Sequence, residues 1–322
     1  MNLSDYKKEF LTYLNKEIQV KEPINLYEPI HYILQIGGKR LRPILTLVSA
    51  HFFKGAYKKA LPAALAIEVF HNFTLVHDDI MDEAPIRRGK TTVHKKWDLN
   101  RGILSGDAMM LMTNQLMESY EPNKFKELMV LFNKTALEVC EGQQYDVDFE
   151  TRTDVTISEY IKMITYKTAV LVACSLKMGA IIADVDVKNA NLIYDYGLNL
   201  GIAFQLQDDY LDTFGDEASF GKLIGGDILE NKKTFLYLKL LEVISEEDKK
   251  ELLKWYSITE KSDEKIKAVT LLYSKYKIQE SLKEEITSYT NISYKSLENT
   301  SLGNEGKVFF KKLGNDLLNR TV

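Results

Sequence analysis

The sequence predicts an all-α protein, and three observations support this. All six prolines lie at or before Pro122, so residues 123–322 contain none, and proline is the residue that a helix interior tolerates least. Long stretches repeat apolar residues at three- and four-residue spacing, which is the period of an amphipathic helix. No linker rich in Pro, Gly or Ser divides the chain. We therefore expect one domain over residues 1–322, a single large helical bundle, with a more solvated, Lys/Glu-rich helical portion from about residue 243.

The predicted helices of the first half follow the apolar period. The first of them carries acids and lysines throughout and lacks a continuous apolar run, so it is an amphipathic helix and not a signal peptide. These helices are expected near residues 2–19, 25–35, 40–53, 57–82, 100–119 and 123–149.

The same period continues through the second half. Its longest apolar run, "TAVLVACSLKMGAIIA", is interrupted by Lys177 and is too short to cross a bilayer, so no membrane segment is expected. The helices are expected near residues 157–182, 188–213, 231–242, 246–256, 262–273, 276–295 and 304–319.

Charge and cysteine content limit the partners. The formal net charge of -4 gives no overall attraction to nucleic acid or to anionic membranes, so any bound anion must be held by local clusters of Lys and Arg. Cys140 and Cys174 lack metal-type spacing and are predicted to be reduced core residues. Both points favour a cytoplasmic protein without a nucleic-acid partner.

The helix predicted over residues 57–82 ends in a cluster of acids, "HDDIMD". A period of 3.6 residues places His71, Thr74, Asp78 and Asp82 on one face of it. A single cluster of this kind is most often a solvated helix end. A second one, with Asp208, Asp209 and Asp212 in "FQLQDDYLD", ends another apolar helix.

Carboxylates at the carboxyl end of a helix oppose its dipole unless a cation compensates them. Oxygen ligands without His or Cys at ligand spacing suit Mg²⁺, which prefers a few carboxylates together with phosphate oxygens and water. The two clusters therefore predict magnesium sites for a phosphorylated ligand.

Basic residues supply the other half of such a site. Arginine binds phosphate through two hydrogen bonds, lysine binds it as a point charge, and glycines let a backbone approach an anion. The candidates lie in "GGKRLRP", "RRG", "YKTA", "FGK" and "ENKKT", and they are Lys39, Arg40, Arg42, Arg87, Arg88, Lys167, Lys222, Lys232 and Lys233. Together with the acids they suggest two diphosphates, one bound through Mg²⁺ and one by basic side chains.

These motifs resemble those of the trans-type polyprenyl diphosphate synthases, which include farnesyl and geranylgeranyl diphosphate synthases. The stretches "GGKRLRP", "DEAPIRRGK", "YKTA", "FQLQDDYLD" and "GGDILENKK" and the first aspartate motif run in the family order from residue 37 to residue 233. The first 30 residues and the C-terminal third carry little of the resemblance. It implies a helical bundle of the isoprenoid synthase type around a central active-site cavity, three Mg²⁺ ions, a homodimer, and isopentenyl and allylic diphosphate substrates.

The resemblance also implies a role for each candidate residue. The ligands of Mg²⁺ bridged to the allylic diphosphate would be Asp78, Asp82 and Asp208, with Asp79, Asp209 and Asp212 nearby or in the outer shell. The residues that hold that diphosphate directly would be Arg87, Lys167, Lys222 and Lys232. The metal-free site for isopentenyl diphosphate would contain Lys39, Arg42, His71 and Arg88. The allylic cation would face Thr168, Gln205 and the backbone around Lys167. Gln143 and Asp146, which share a helix face in "CEGQQYDVDF", are equally compatible with a structural and a functional role.

Product length is expected to depend on the helix that carries the first motif. In the family the growing chain runs beside this helix until a bulky side chain stops it. Here Phe73 and Thr74 precede Asp78 by five and four residues, and "DDIMD" has no insertion. One aromatic residue resembles the geranylgeranyl type, so a twenty-carbon product is favoured over the fifteen-carbon farnesyl diphosphate.

Other readings of the motifs are a class I terpene cyclase, a non-catalytic subunit of a heteromeric synthase, and a structural helical protein with acidic caps. A cyclase would usually replace the second aspartate motif, and a regulatory subunit would be expected to lose one of the two. Both motifs are intact here. A structural protein would not explain the recurring order of acids and bases.

Overall fold

The computed structural model describes residues 2–215, 224–258, 260 and 262–319, and the regular secondary structure of these residues is helical apart from one short hairpin. The all-α prediction is confirmed. Contacts divide the chain into two compact units, one of Met1–Asn133 with Cys174–Asn191 and one of Lys134–Ala173 with Leu192–Val322. The single domain over residues 1–322 stays a prediction.

The first 117 residues contain six helices among the described positions. They are α1 (Leu3–Glu17), α2 (Ile24–Gln35), α3 (Leu41–Phe52), α4 (Leu61–Met81), α5 (Val93–Lys96) and α6 (Leu99–Met117). A 3₁₀ turn, Tyr57–Ala60, precedes α4, and an antiparallel hairpin of β1 (Ile86–Arg87) and β2 (Lys90–Thr91) follows it.

The helices of the remaining described residues begin with a long one. They are α7 (Pro122–Thr151), α8 (Ile157–Ile164), α9 (Val170–Ile182), α10 (Val187–Phe214), α11 (Gly226–Leu229), α12 (Phe235–Val243), α13 (Glu246–Tyr256), α14 (Asp263–Lys275), α15 (Ile278–Glu298) and α16 (Asn304–Leu318). A π-helical turn, Thr165–Ala169, joins α8 to α9.

Local sequence explains where several helices begin. Asn2 caps α1 and Thr156 caps α8, each in a reciprocal pair with the acid three residues later, Asp5 and Glu159. Such pairs satisfy two of the N–H groups that a helix start leaves unbonded. The side chain of Ser262 likewise accepts a hydrogen bond from the backbone of Lys265 at the start of α14.

The core of the first unit is built on α4, whose N-terminal half is buried on every side. Residues 63–67 of this helix are fully buried alanines, leucine and isoleucine. Phe70 meets the ring of Phe132 edge to face at 5.1 Å. Because α4 is fixed by this packing, the aspartates at its end have a defined position.

The core of the second unit contains residues from many helices. Aromatic and aliphatic side chains of α8, α10 and α12 pack with Leu252, Val269, Tyr273 and Leu282 of the C-terminal helices. This core supports the carboxyl end of α10, where the second aspartate cluster lies.

Four details differ from the sequence-based expectations. The helix predicted over residues 57–82 starts as a 3₁₀ turn, and the one over 157–182 is interrupted by the π-helical turn. The hairpin was not predicted; it turns at Arg88 and Gly89, whose φ angles of 52° and 73° are both left-handed, as a two-residue hairpin turn requires. Cys174 is buried as predicted, but Cys140 is exposed, because α7 turns that residue outward while the preceding Val139 is buried.

One stretch of the described residues, Ile157–Ile182, is long and apolar enough to cross a membrane by length and composition alone. Its most apolar window is 67% buried within the protein. Burial to this extent is typical of a core helix, because a membrane-spanning helix turns much of its apolar surface to lipid.

Candidate active site

The first aspartate motif lies at the carboxyl end of α4. Asp78 and Asp79 belong to the last turn, and Asp82 caps the helix by donating its N–H to the carbonyl oxygen of Asp78 at 2.9 Å. The side chain of Asp78 is 21% exposed and that of Asp79 only 1%, while Asp82 is exposed. The motif thus presents two accessible carboxylates and one buried one.

Arg87 neutralises part of this charge. Its Nε donates to Oδ1 of Asp79 at 2.7 Å, and its Nη2 lies 3.4 Å from Oδ2 of Asp78. Burial raises the pKa of Asp79 to about 6 despite the opposing effect of Arg87. The second oxygen of Asp79, Oδ2, is buried and has no hydrogen-bond partner among the described residues.

The hairpin sends two consecutive arginines to different places. Arg87 lies on β1 and contacts the aspartates, whereas Arg88 occupies the turn and donates to the carbonyl oxygen of Gly37. Gly37 and Gly38 have φ angles of 100° and 128°, which favour glycine. A Cβ at Gly38 would also lie 2.7 Å from Nη1 of Arg88, so the glycine pair makes room for this guanidinium.

Arg40 proves to be structural rather than a phosphate ligand. It is 4% exposed, donates to the backbone oxygen of Leu34, and forms a buried ion pair with Glu68, which is 2% exposed. Asn72 donates to the carboxylate of Glu68 at 3.1 Å and completes the network. The φ angle of Arg40 is 56°, so the pair holds a left-handed residue at the start of α3.

Arg42 and His71 form the inner part of the predicted isopentenyl site. Nη1 of Arg42 lies 3.3 Å from Nε2 of His71, and because arginine only donates, this nitrogen of the imidazole accepts. Burial, and then the charge of Arg42, lower the pKa of His71 well below 6.5. Lys39 is exposed at the same loop. The structure therefore brings Arg42, His71 and Arg88 to one side of the first unit.

The two residues expected to set product length lie on α4. The ring of Phe73 packs between Phe70, at 5.6 Å, and His77, at 4.8 Å. The hydroxyl of Thr74 donates to the carbonyl oxygen of His71 at 2.8 Å. Both are partly buried.

The second aspartate motif lies in the last two turns of α10. Asp208 is partly buried, whereas Asp209 is 3% exposed and accepts a hydrogen bond from the hydroxyl of Tyr160. Burial, and then the carboxylate of Asp227, raise the pKa of Asp209 well above its usual value. Asp209 is thus held inside the unit, and Asp208 is the more accessible of the pair.

Asp212 forms hydrogen bonds with Gly225 and Asp227, which lie after α10 in the chain. Its carboxylate accepts the N–H of Asp227 at 3.0 Å, and its carbonyl oxygen accepts the N–H of Gly225 at 2.6 Å. A Cβ at Gly226 would lie 3.1 Å from its Oδ1. We call residues 225–233 the lysine loop, since it ends in Lys232 and Lys233.

Lys232 sits among carboxylates in this loop. Its Nζ lies 3.1 Å from Glu230 and 3.6 Å from Asp227. Although burial works in the opposite direction, these two carboxylates raise the pKa of Lys232. Lys233 instead donates to the carbonyl oxygens of Phe149 and Glu150, which makes it a structural residue.

Lys167 and Thr168 lie on the π-helical turn between α8 and α9. Nζ of Lys167 lies 2.5 Å from Oδ2 of Asp146, and Thr168 donates to Oε1 of Gln205 at 3.4 Å. A Cβ at Gly142 would lie 2.8 Å from Cα of Lys167 and closer still to its backbone nitrogen. The absence of a side chain at this glycine lets α7 reach the turn.

The donors fit Mg²⁺ that is shared with a phosphorylated ligand. Nothing in the described part of the chain groups three or more His, Cys, Asp or Glu side chains closely enough to bind a metal unaided. Each motif nevertheless offers accessible carboxylates, and Asp79 keeps an unpartnered oxygen. Since Mg²⁺ retains water and takes phosphate oxygens, incomplete carboxylate sets are what such a site needs.

One predicted residue, Lys222, lies outside the described residues. Two residues near the aspartate motif of α10 were not predicted from the sequence. Tyr160 and Asp227 were missed; the signal for Asp227 was its place in "GGDILENKK", while a tyrosine in the middle of a helix gives no signal. Asp146, which the sequence left open, pairs with Lys167.

The family model described as Polyprenyl synthetase matches residues 23–272. The chain belongs to this family. The family membership expected from the motifs is therefore confirmed, and with it the enzyme class, a prenyltransferase that makes polyprenyl diphosphates.

Relatives with stated products are similar over most of the chain. A geranylgeranyl diphosphate synthase of Sulfolobus acidocaldarius is 39% identical over 84% of this chain and 86% of its own. A geranylfarnesyl diphosphate synthase of Natronomonas pharaonis is 38% identical over 70% and 71%. The crystal structure of a geranylgeranyl pyrophosphate synthase superposes with a TM-score of 0.95, at 52% identity, over 99% of both chains.

Proposed function

We propose that this prenyltransferase adds isopentenyl diphosphate to an allylic diphosphate and releases geranylgeranyl diphosphate. The observation that carries the proposal is one arrangement that recurs in both units, a helix that ends in clustered aspartates with a paired cation nearby. In the first unit the cation is Arg87, which contacts Asp78 and Asp79. In the second it is Lys232, which contacts Asp227, and the N–H of Asp227 donates to Asp212 of the cluster. The names of the similar synthases of Sulfolobus acidocaldarius and of the 52% identical structure support the twenty-carbon product.

The chemistry explains why the motifs combine acids and bases without an obvious general base. Ionising an allylic diphosphate leaves a carbocation and inorganic diphosphate, so catalysis consists mainly of stabilising charge on the leaving group. Bound Mg²⁺ would act there as a Lewis acid and template. The double bond of isopentenyl diphosphate then attacks the cation, and a proton is lost from the adjacent carbon to the departing diphosphate.

We assign the allylic diphosphate to the residues near the aspartates. Arg87, Lys167 and Lys232 would contact it directly, and Lys222 would do the same from outside the described residues. A side-chain nitrogen of each of the three described cations lies within 3.6 Å of a carboxylate oxygen. This pairing orients each cation against a carboxylate of its own unit before the substrate arrives.

We assign isopentenyl diphosphate to Lys39, Arg42, His71 and Arg88. Arg42 and His71 are adjacent, and the low pKa of His71 keeps the imidazole neutral there. A neutral imidazole can donate a hydrogen bond to a phosphate oxygen without adding charge among several arginines. The site needs no metal, because its cations are supplied by side chains.

Three further features belong to the proposal. We expect three Mg²⁺ ions with the allylic diphosphate bound, held by Asp78, Asp82 and Asp208. We expect a cytoplasmic homodimer, and the exposed Leu104 and Leu111 of α6, at 58% and 65%, suit a contact with a second copy. A monomeric mass at micromolar concentration in solution would contradict the dimer.

Replacing Asp78 tests the metal assignment. Asp78→Ala should lower turnover by about a hundredfold or more, because the Mg²⁺ that would stabilise the leaving diphosphate loses a carboxylate ligand. Its circular dichroism should match the wild type, since Asp78 lies at a helix end. The exposed Glu251→Ala on α13 is the matched control and should keep full turnover. Near-normal turnover of Asp78→Ala with unchanged Mg²⁺ dependence would refute the assignment.

A further inference from the structure

The function proposed above uses no residue of α14, yet the first turn of this helix contains a fully buried lysine. Lys265 is 0% exposed. Its ammonium donates to the side-chain oxygen of Asn231 at 2.6 Å and to the carbonyl oxygen of Ile258 at 2.8 Å. It also lies 5.9 Å from the ring centre of Tyr256. Asn231 closes the set by donating to the same carbonyl at 3.4 Å.

This is an unfavourable place for a cation. A buried ammonium loses its hydration, and a positive charge in the first turn of a helix opposes the helix dipole. Both of its hydrogen-bond acceptors are neutral oxygens, and burial lowers the pKa of Lys265. An apolar residue would fill the same space at lower cost, which points to a role beyond packing.

Asn231 connects this lysine to the lysine loop. It has a left-handed φ of 57° and ends α11 by donating its N–H to Ile228 at 3.2 Å. The next residue is Lys232, whose own N–H donates to the carbonyl oxygen of Asp227 at 2.9 Å. The direction of the Lys232 side chain therefore depends on the backbone conformation of Asn231.

The other end of the lysine loop also rests on α14. Gly225 has a φ of 81°, and a Cβ there would lie 2.8 Å from Cγ2 of Ile266, the neighbour of Lys265. The same glycine donates its N–H to Asp212 in the second aspartate motif. One turn of α14 thus contacts both ends of the loop, Ile266 at the start and Lys265 at Asn231.

We propose that Lys265 is a positioning residue for the allylic diphosphate site, which it serves by holding Asn231 so that the lysine loop presents Lys232 beside Asp227. The inference rests on the proposed function, because Lys232 is assigned to the allylic diphosphate there. It gives the C-terminal helices a part in substrate binding, although Lys265 itself touches no substrate.

Steady-state kinetics of Lys265→Met tests the inference. Methionine has a similar length and removes the ammonium. The KM for the allylic diphosphate should rise by about tenfold, the usual scale for a residue that orients a ligand group. The KM for isopentenyl diphosphate should stay within about twofold of the wild-type value, because the residues assigned to that substrate belong to the first unit and do not include the lysine loop. Lys267→Met, an exposed lysine on the same helix, is the matched control and should change neither constant.

A second variant keeps the test decisive if Lys265→Met does not fold. Asn231→Gly removes the acceptor while the left-handed backbone remains allowed, and it should raise the same KM in the same direction. The variants are assayed well below their thermal midpoints, so that nearly all of each variant is folded. Any unfolded fraction would lower the apparent kcat and leave the KM values unchanged.

The outcomes separate this inference from the proposed function. If both variants lower the thermal midpoint and leave both KM values unchanged, Lys265 is only structural and the inference is overturned. A rise in the KM for isopentenyl diphosphate alone would overturn it as well. If the wild-type chain does not join the two substrates at all, the proposed function itself fails.

Discussion

At the scale of single residues, burial decides which charged side chains can meet a substrate. Arg40 and Arg42 are two positions apart, yet Arg40 is locked to Glu68 in the core while Arg42 contacts His71. Sequence grouped both with Lys39 as phosphate-binding candidates, since their spacing within "GGKRLRP" does not reveal which one turns inward. The assignment needed the left-handed φ of Arg40, which only the structure supplies.

The environment of His71 predicts a specific pH dependence of stability. Its pKa in the folded protein is well below 6.5, because burial and nearby arginines disfavour the imidazolium. The unfolded chain, with an ordinary histidine pKa, therefore binds a proton more readily below pH 6.5. The contribution of His71 to stability should be complete above pH 6.5 and decrease as the pH falls below it.

Thermal unfolding of the wild type and His71→Gln at a series of pH values checks this. The wild type should lose stability more steeply below pH 6.5 than the variant, which has no group to protonate there. Parallel pH profiles of the two proteins would show that the imidazole has an ordinary pKa.

At the scale of elements, the helices were predictable and their interruptions were not. Apolar period and proline positions indicate where long helices run, because both act over several turns. The π-helical turn at Thr165–Ala169 and the hairpin at Arg88 depend on single residues or on tertiary contacts. These irregular elements carry Lys167 and Arg87, so the motifs identified these two as candidate site residues but did not predict their geometry.

The close approach of α7 to the π-helical turn predicts that Gly142→Ala is destabilising. The added Cβ would overlap the backbone of Lys167, and overpacking of this kind costs about 1–3 kcal/mol. Turnover should also fall, because the turn would move Lys167 away from the allylic diphosphate. Denaturant unfolding and kinetics measure both effects.

Gly303 offers the matched control for this substitution. Apart from the glycine and its chain neighbours, no atom lies within 4 Å of a Cβ built there. Its φ of -65° is accessible to alanine, so Gly303→Ala should change stability by less than about 1 kcal/mol and leave turnover intact. Equal effects of the two substitutions would contradict the role given to Gly142.

The helix α4 is expected to set product length through Phe73. Its ring packs between Phe70 and His77, and it precedes Asp78 by five residues on this helix. Phe73→Ala should lengthen the product by one or more isoprene units, because the stop beside the helix is removed. Chromatography of the dephosphorylated alcohols measures this, and an unchanged product distribution would move the length-setting role to another element.

At the scale of the whole molecule, a chain with a formal net charge of -4 is expected to bind two highly anionic substrates. Local arrangement makes this possible, since several of the candidate cations lie on short irregular elements, with Arg87 and Arg88 on the hairpin and Lys167 on the π-helical turn. Family membership follows from the match over residues 23–272, and the motifs alone were enough to predict it. Product length was less predictable, because synthases of twenty- and twenty-five-carbon products are both similar to this chain at 38–39% identity.

The most direct test of the account is a product assay with the purified full-length chain alone. It would be incubated with Mg²⁺, isopentenyl diphosphate and dimethylallyl, geranyl or farnesyl diphosphate, and the products would be dephosphorylated and separated by chromatography. We expect geranylgeraniol as the main alcohol from each allylic substrate, and no product when Mg²⁺ is removed by chelation. A cyclised hydrocarbon, or unreacted substrates in the presence of Mg²⁺, would contradict the assignment of this chain as a geranylgeranyl diphosphate synthase.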